Sequence, residues 1–442
     1  MGRFNEWIRL RVIYPLAEQV KGTNSMEWYH RIQEMNTWSR EEIRVWQNEQ
    51  LRHLVDQAYN HTVYWKRIFD DRGLKPEDIR TLSDLQKLPI LTKDEIRTHY
   101  NEMMPDNITS IKHRKGQTGG TTGEPMHYLD DEDVWGYVTA NKIIAWQTTG
   151  YRFGESFMAL GSASLFKKNA PLVRRVLDWI RNEHAYNSMN MDGELCRKYI
   201  EILNKQKIHY IYGYASSIYL LAKYALNHNM DMSHMRGAFT TSENLTDVYR
   251  ETIEKAFGCR VMDCYGARDA AITAYEITPG DYHLGYSALV EVIDEFEPNK
   301  GTLLSTNLLN MAFPMFRYEY GDVAELDNDS SEYNGQVLHQ IYGRVSDVLR
   351  LDNGHVLTSP GFTILMRNFN VKAYDIQKLS GCSVRMQVVV ADGWSKEEEE
   401  KLIAEMERFC GDGCTFELEH VDHFEPLKNG KRRYFMNDLS HD

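Results

Sequence analysis

Gln117-Thr118-Gly119-Gly120-Thr121-Thr122-Gly123-Glu124-Pro125 sets three glycines and three threonine hydroxyls in a segment with little to offer a packed core. Glycine permits positive φ and close backbone approach, so successive N–H groups can converge on an anion while the hydroxyls add donors. The natural guest of such a loop is a nucleotide triphosphate. A Walker loop would end in Gly-Lys-Ser/Thr, whereas this segment ends in Gly123-Glu124-Pro125, and it holds no GxGxxG fingerprint. Taken alone, the same residues also read as a surface turn. The segments that follow it in the chain decide between the two.

Those segments are Thr240-Thr241-Ser242-Glu243, Asp263-Cys264-Tyr265-Gly266-Ala267-Arg268-Asp269, Arg317-Tyr318-Glu319-Tyr320-Gly321-Asp322, Gly343-Arg344-Val345-Ser346-Asp347 and Lys428-Asn429-Gly430-Lys431-Arg432. In this order they resemble the adenylate-forming (acyl-CoA synthetase-like) superfamily, and within it the phenylacetate-CoA ligase and CapK branch. The stretch before the loop agrees: Leu51 to His61, Thr81 to Leu88 and Pro89-Ile90-Leu91-Thr92-Lys93 resemble the helical preamble of that branch. The resemblance runs almost end to end and implies an ATP- and Mg2+-dependent enzyme.

Length and composition set bounds. A chain of 442 residues is too long for one ordinary core. The net charge of −13 and a pI near 5.7 exclude a general nucleic-acid binder, so a nucleotide site must be locally basic. The six cysteines show no framework spacing, and the start of the chain has no secretory signal, so free thiols and a cytoplasmic location are expected. Cys410 and Cys414 lack the second pair that a zinc finger needs. No apolar run is long enough to span a membrane. Trp7, Ile8, Leu10, Val12 and Ile13 alternate with Arg3, Arg9 and Arg11, a pattern that suits a helix packed on the body or lying on an anionic membrane. Glu6 stands where a myristoylation signal has Ser or Thr. A homodimer stays open.

The expected fold is α/β, a large N-terminal body of sheets covered by helices with a smaller, mobile α+β C-terminal cap. Residues 1–345 form the adenylation body, helix-rich over 1–105, and residues 346–442 the cap. Strand–helix alternation begins after Tyr128, with helices over Glu194 to Asn204 and Ser217 to Ala225 around a strand from Ile208 to Tyr212. Residues 285 to 325 turn strand-like. The cap shows a strand at Val384 to Val390, a charged helix at Ser395 to Phe409 and a strand at Phe416 to Val421.

The resemblance assigns roles. Thr118, Gly119, Gly120, Thr121, Thr122 and Gly123 would cradle the β- and γ-phosphates, with Ser242 and Glu243 also at the nucleotide. Tyr265 beside Gly266 would stack on adenine, or serve as a structural tyrosine. Asp269 occupies the place of the family's usual glutamate and would hold magnesium with a side chain one methylene shorter. Asp322 would accept from both ribose hydroxyls, or act as a turn residue beside Gly321. Arg344 would contact ribose or phosphate, or make a surface ion pair. Lys431 would bind the substrate carboxylate and α-phosphate, with Lys428 its nearest competitor, although a basic run also suits a solvated surface. Ser346 stands where the hinge pattern has Asp, before Asp347. An acid pocket is expected from Trp135 to Trp146, Gly161 to Ser164 and Tyr212 to Ala215, residues that equally suit a core. Glu276-Ile277 replaces the branch's Glu-Cys element, which argues against a thiolate metal site around His283.

The expected reaction joins a small-molecule carboxylate to ATP, giving acyl-adenylate and pyrophosphate, then passes the acyl group to a thiol such as CoA or to an amine. The CapK likeness implies capsule or exopolysaccharide assembly. Two alternatives stand beside it: an adenylyltransferase that leaves AMP on a hydroxyl, as in coenzyme F390 synthetase-like proteins, and a degenerate fold that only binds.

Overall fold

The computed structural model describes residues 12–21, 23–118, 126–161, 176, 179–188, 191–243, 245–331, 333–344, 348–353, 356–358, 366, 369–379, 381–390, 393–411, 413–422 and 435–437. Capped helices dominate its first hundred residues: α1 (Tyr14–Lys21), α2 (Ser25–Met35), α3 (Arg40–His61), α4 (Val63–Asp71) and α5 (Lys93–Met103). Ser39 with Glu42, and Thr92 with Glu95, form capping boxes that start α3 and α5. The apolar positions Ile43, Trp46, Leu51, Leu54 and Val55 of α3 are all buried. Of the basic, apolar N-terminal segment, residues 3–11 lie outside the described residues, while Tyr14 is buried against Ile180.

A hairpin follows, β1 (His113–Gln117) with β2 (His127–Asp131), and then α6 (Glu132–Gln147). Helix α2 packs tightly on α6 at Gly136, where a Cβ would run into Asn24 and Trp28. Asp133 of α6 accepts from the Asn24 amide (2.6 Å) and the Trp28 indole (2.9 Å).

The remainder of the body is one eleven-stranded sheet. Strands β3 (Phe157–Gly161), β4 (Glu183–Asn187), β5 (Tyr210–Tyr214), β6 (Gly237–Thr241) and β7 (Val261–Ala267) are parallel, with α7 (Gly193–Gln206), α8 (Ala215–Asn227) and α9 (Asp247–Phe257) between them. Alternation decides the faces: Met158, Leu160, Ile211 and Ala238 pack under α7 to α9, while Phe157, Ala159, Phe239 and Met262 pack with Trp146 of α6. After β7 the sheet turns antiparallel through β8 (Ile272–Thr278), β9 (Asp281–Leu284), β10 (Ala288–Glu297), β11 (Lys300–Asn307), β12 (Tyr318–Asp327) and β13 (Val337–Arg344), in the spatial order β7-β8-β9-β13-β12-β11-β10. The strand-like character of residues 285–325 is this half.

Beyond it lie a two-stranded ladder, β14 (Val348–Arg350) with β15 (Val356–Thr358), and a four-stranded sheet of β16 (Val371–Lys378), β17 (Ser383–Val390), β18 (Thr415–His420) and β19 (Phe435–Asn437), with α10 (Lys396–Cys410). These have a core of their own, including Ile376, Met386, Leu402 and Met406. The expectation of free thiols fails for one pair: Cys382 and Cys414 form a disulfide. Parallel pairing of β17 with β18 sets their backbones side by side, with Cα atoms 4.7 Å apart and the Thr415 N–H donating to the Cys382 carbonyl. Cys196, Cys259, Cys264 and Cys410 are free.

One ion pair anchors the turn from parallel to antiparallel. Arg250 of α9 donates to both oxygens of Glu276 at 2.7 Å, and Glu276 is 1 % exposed. Removing one partner strands the other charge in the interior. Arg250→Met is therefore expected to cost about 3–5 kcal/mol of stability, read as a lower midpoint in urea unfolding, while the double change Arg250→Met/Glu276→Leu recovers most of the loss.

Candidate functional site

In sequence the glycine/threonine segment joins β1 to β2, and of it Gln117 and Thr118 are described. The hairpin stem is closed by Thr118, whose N–H donates to the Met126 carbonyl (2.9 Å) and whose hydroxyl accepts from the Met126 N–H (3.1 Å). Gly116 faces Tyr128 in the ladder and lies so close beneath it that a Cβ would enter the ring. Gly119, Gly120, Thr121, Thr122 and Gly123 lie outside the described residues, as do Ser346, Asp347, Lys428 and Lys431.

Asp322 sits on β12, 8 % exposed, opposite Arg344 in the ladder with β13. The Tyr265 hydroxyl, 57 residues away on β7, donates to its carboxylate at 2.6 Å, and the Tyr320 hydroxyl stands 3.5 Å from that of Tyr265. Burial, then the adjacent carboxylate, holds the Tyr265 phenol well above its usual pKa, so it stays a donor. Asp269, just past β7, accepts from the Tyr318 hydroxyl at 2.6 Å, and the same hydroxyl lies 3.7 Å from the Met126 sulfur. Hairpin stem, β7 end and β12 thus meet around two carboxylates.

The segment Pro89 to Lys93 explains why β12 is held there. Leu91 exchanges backbone hydrogen bonds with Arg317 and Glu319, and the Lys93 ammonium donates to the Tyr320 carbonyl (3.2 Å). Arg317, at φ 49°, donates to the Leu88 carbonyl (2.8 Å) and pairs with Glu291 (3.2 Å). Two motifs that the sequence lists 220-odd residues apart are one ladder.

Ser242 follows β6 with φ 64°. This turn sends Glu243 to the start of α8, where its carboxylate accepts from the Ser216 N–H at 2.9 Å. Tyr214 at the N-cap supplies no side-chain bond of its own, so Glu243 does that work and complements the helix dipole. Gly266 is exposed between Tyr265 and Ala267.

Arg114, Asp130 and Asp131, none of them singled out from sequence, also stand at this place, with Arg268 of the Tyr265 motif. Arg114 lies opposite Asp130 in the hairpin. The guanidinium of Arg114 stands 5.2 Å from the Trp135 ring and that of Arg268 stands 4.3 Å from it. Two cations thus stand beside the hairpin stem, a locally basic place in an acidic chain. Only the β1/β2 register reveals the Arg114–Asp130 pair. Asp130 is 3 % exposed; burial raises its pKa to about 7, against Arg268 and with help from Asp269. Its neighbour Asp131, also raised to about 7 by burial, accepts from the N–H groups of Val134 (3.0 Å) and Met311 (2.7 Å), capping α6. Among the described residues no trio of His, Cys, Asp or Glu is set to hold a metal. Asp269 with Asp130 offers the one or two carboxylates that Mg2+ takes when phosphates and water complete its shell.

The fold is similar to that of solved CoA ligases. It superimposes with a TM-score of 0.68 on 2-hydroxyisobutyryl-CoA ligase in the postadenylation state with R3-HIB-AMP, covering 91 % of both chains at 16 % identity. An open conformation of that ligase with 2-HIB-AMP and CoA gives 0.64 over 91 % of this chain and 93 % of the other. In sequence the chain is similar to protein CapK of Staphylococcus aureus, 25 % identical over 408 residues and 89 % of each chain. It is also similar to the phenylacetate-coenzyme A ligase of Escherichia coli strain K12, 24 % identical over 362 residues, 74 % of this chain and 77 % of that one. No family model matches the chain.

Two outcomes test this geometry. Tyr265→Phe leaves the Asp322 carboxylate short of a charge-assisted donor and is expected to cost about 2 kcal/mol in thermal unfolding, whereas Tyr320→Phe, whose hydroxyl does not reach it, costs less. A buried acid whose pKa rises on folding from 3.8 to about 7 lends stability that is full below its unfolded value and is lost as pH climbs to about 7. Asp130→Asn should accordingly flatten the fall in Tm between pH 5 and pH 8 and exceed the parent at pH 8.

Proposed function

We propose that the protein is an ATP-dependent, AMP-forming ligase. A carboxylate oxygen attacks the α-phosphorus of ATP, pyrophosphate leaves, and the acyl-adenylate passes its acyl group to a thiol or amine with release of AMP. The observation that carries this reading is the convergence of Asp322, Tyr265 and Asp269 at the stem of the glycine/threonine hairpin. The CapK and phenylacetate-CoA ligase relatives support it.

In this reading Asp322, held by Tyr265, accepts from the ribose hydroxyls, and the carboxylate suits that bidentate task. Thr121 and Thr122 donate to the β- and γ-phosphates, flanked by Arg114 and Arg268. Asp269 with Asp130 would hold Mg2+, which would supply charge neutralisation at the phosphates. Arg344 lies across the ladder from Asp322, at the ribose. Lys431 arrives from a cap of residues 346–442, pivoting at Ser346–Asp347, to screen the carboxylate from the α-phosphate. Alignment of two mutually repelling anions is the main catalytic demand, which positioning and fixed charge meet. CoA or an amine is the acceptor, and the CapK likeness favours capsule or exopolysaccharide assembly as the setting.

Incubation with ATP, Mg2+, hydroxylamine and a library of aryl, amino and uronic acids is expected to yield hydroxamate and pyrophosphate with at least one acid. Asp322→Ala and Lys431→Ala should each lower kcat/KM about 100-fold. A product carrying AMP on a hydroxyl, seen by mass spectrometry, would replace the ligase reading with nucleotidyl transfer; silence with every acid would sink both.

A further inference from the structure

Helix α6 presents a half-buried lysine, Lys142, that forms no ion pair among the described residues. The Lys142 ammonium lies 5.3 Å from the centroid of the Trp146 ring and 5.2 Å from that of Tyr212 on β5. The titratable groups facing it are Glu183 at the start of β4, Arg181 ahead of β4 and Cys264 on β7. Glu183 is the one acid among them, and no described carboxylate forms an ion pair with Lys142. Arg181, the other cation here, donates to the Tyr14 hydroxyl at 3.2 Å. Burial pushes the Cys264 thiol up to about 12, so it brings no negative charge at neutral pH.

Two ring faces offset part of an ammonium's desolvation, but they accept none of its three N–H bonds. A cation left in that state costs free energy until an anion arrives. Its surroundings give it a place in the reaction as well. Lys142 and Trp146 belong to the α6 stretch, and Tyr212 to the β5 stretch, that sequence points to for the acid pocket. Cys264, which faces Lys142, immediately precedes Tyr265 on β7, so Lys142 lies one strand position from the proposed adenine contact.

We propose that Lys142 is the specificity-determining residue of the acid pocket and that the substrate is a dicarboxylic acid. One carboxylate reaches the α-phosphorus while the other pairs with the Lys142 ammonium between Trp146 and Tyr212. This inference rests on the ligase reading and adds the class of acid to it.

The test has two arms. In the first, quenching of intrinsic tryptophan fluorescence is titrated with linear and aromatic dicarboxylates and with monocarboxylates of matched length, without ATP. Saturable quenching by a dicarboxylate is expected, weakened at least about tenfold in Lys142→Met and kept within about threefold in Lys142→Arg. Circular dichroism and thermal melting verify that both variants fold; Lys142→Met, which removes a poorly solvated charge, should melt no lower than the parent. In the second arm, ATP–pyrophosphate exchange is measured with the same acids, and Lys142→Met should raise KM for the acid far more than KM for ATP. Dicarboxylate binding that is no tighter than monocarboxylate binding, or that survives Lys142→Met, overturns the inference. Exchange driven best by monocarboxylates overturns it and leaves the ligase reading standing. Lys142-dependent dicarboxylate binding with no exchange for any acid does the opposite, removing the ligase reading and supporting the pocket.

Discussion

Tyr265 and Asp322 share one short hydrogen bond, and the remaining geometry of the candidate site is arranged around it. A carboxylate that is 8 % exposed needs a donor to stay where it is, and a phenol whose ionisation is suppressed by burial is a donor at every ordinary pH. The bond fixes β7 to β12 across intervening strands of the antiparallel half. With Tyr318 on Asp269 performing the same service one strand-end away, the two carboxylates become parts of a single rigid frame. Tyr265 stands on β7 and Tyr318 on β12, so the sheet sets the positions of the two donors.

Charge is distributed against the average of the chain. The net −13 would repel a triphosphate, yet Arg114 and Arg268 flank Trp135 beside the hairpin, and Lys142 lies by the Trp146 and Tyr212 rings. Two acids of the hairpin, Asp130 and Asp131, are buried, and burial raises each to about 7. Desolvation thus weakens the negative charge of these two carboxylates while the guanidiniums of Arg114 and Arg268 remain charged.

Much of this was legible in sequence because the features are local. A glycine/threonine run, a Tyr-Gly pair with an acid three residues on, and an Arg-Tyr-x-Tyr-Gly-Asp string each announce themselves within a few positions. Helices such as Arg40–His61 declare themselves by capping and spacing. What escaped notice depends on register between distant segments. Arg114 opposite Asp130, Leu91 paired with Tyr318, and Glu243 at the start of α8 require the sheet before they can be seen. Cys382 and Cys414 lie 32 residues apart and meet only through the parallel pairing of β17 with β18. Nothing in the line of letters says which rings stand beside Lys142.

The ladder between Leu91 and the Arg317–Glu319 backbone bears on how the protein can be re-engineered. The front helices are stitched into the central scaffold by main-chain bonds and by a lysine reaching a carbonyl, contacts that tolerate changes of side chain at Leu91 and Tyr320 but not a change of chain path. Module exchange with a relative would therefore have to move residues 88–93 and 317–320 as one cassette, and a graft that split them would leave β12 without its splint.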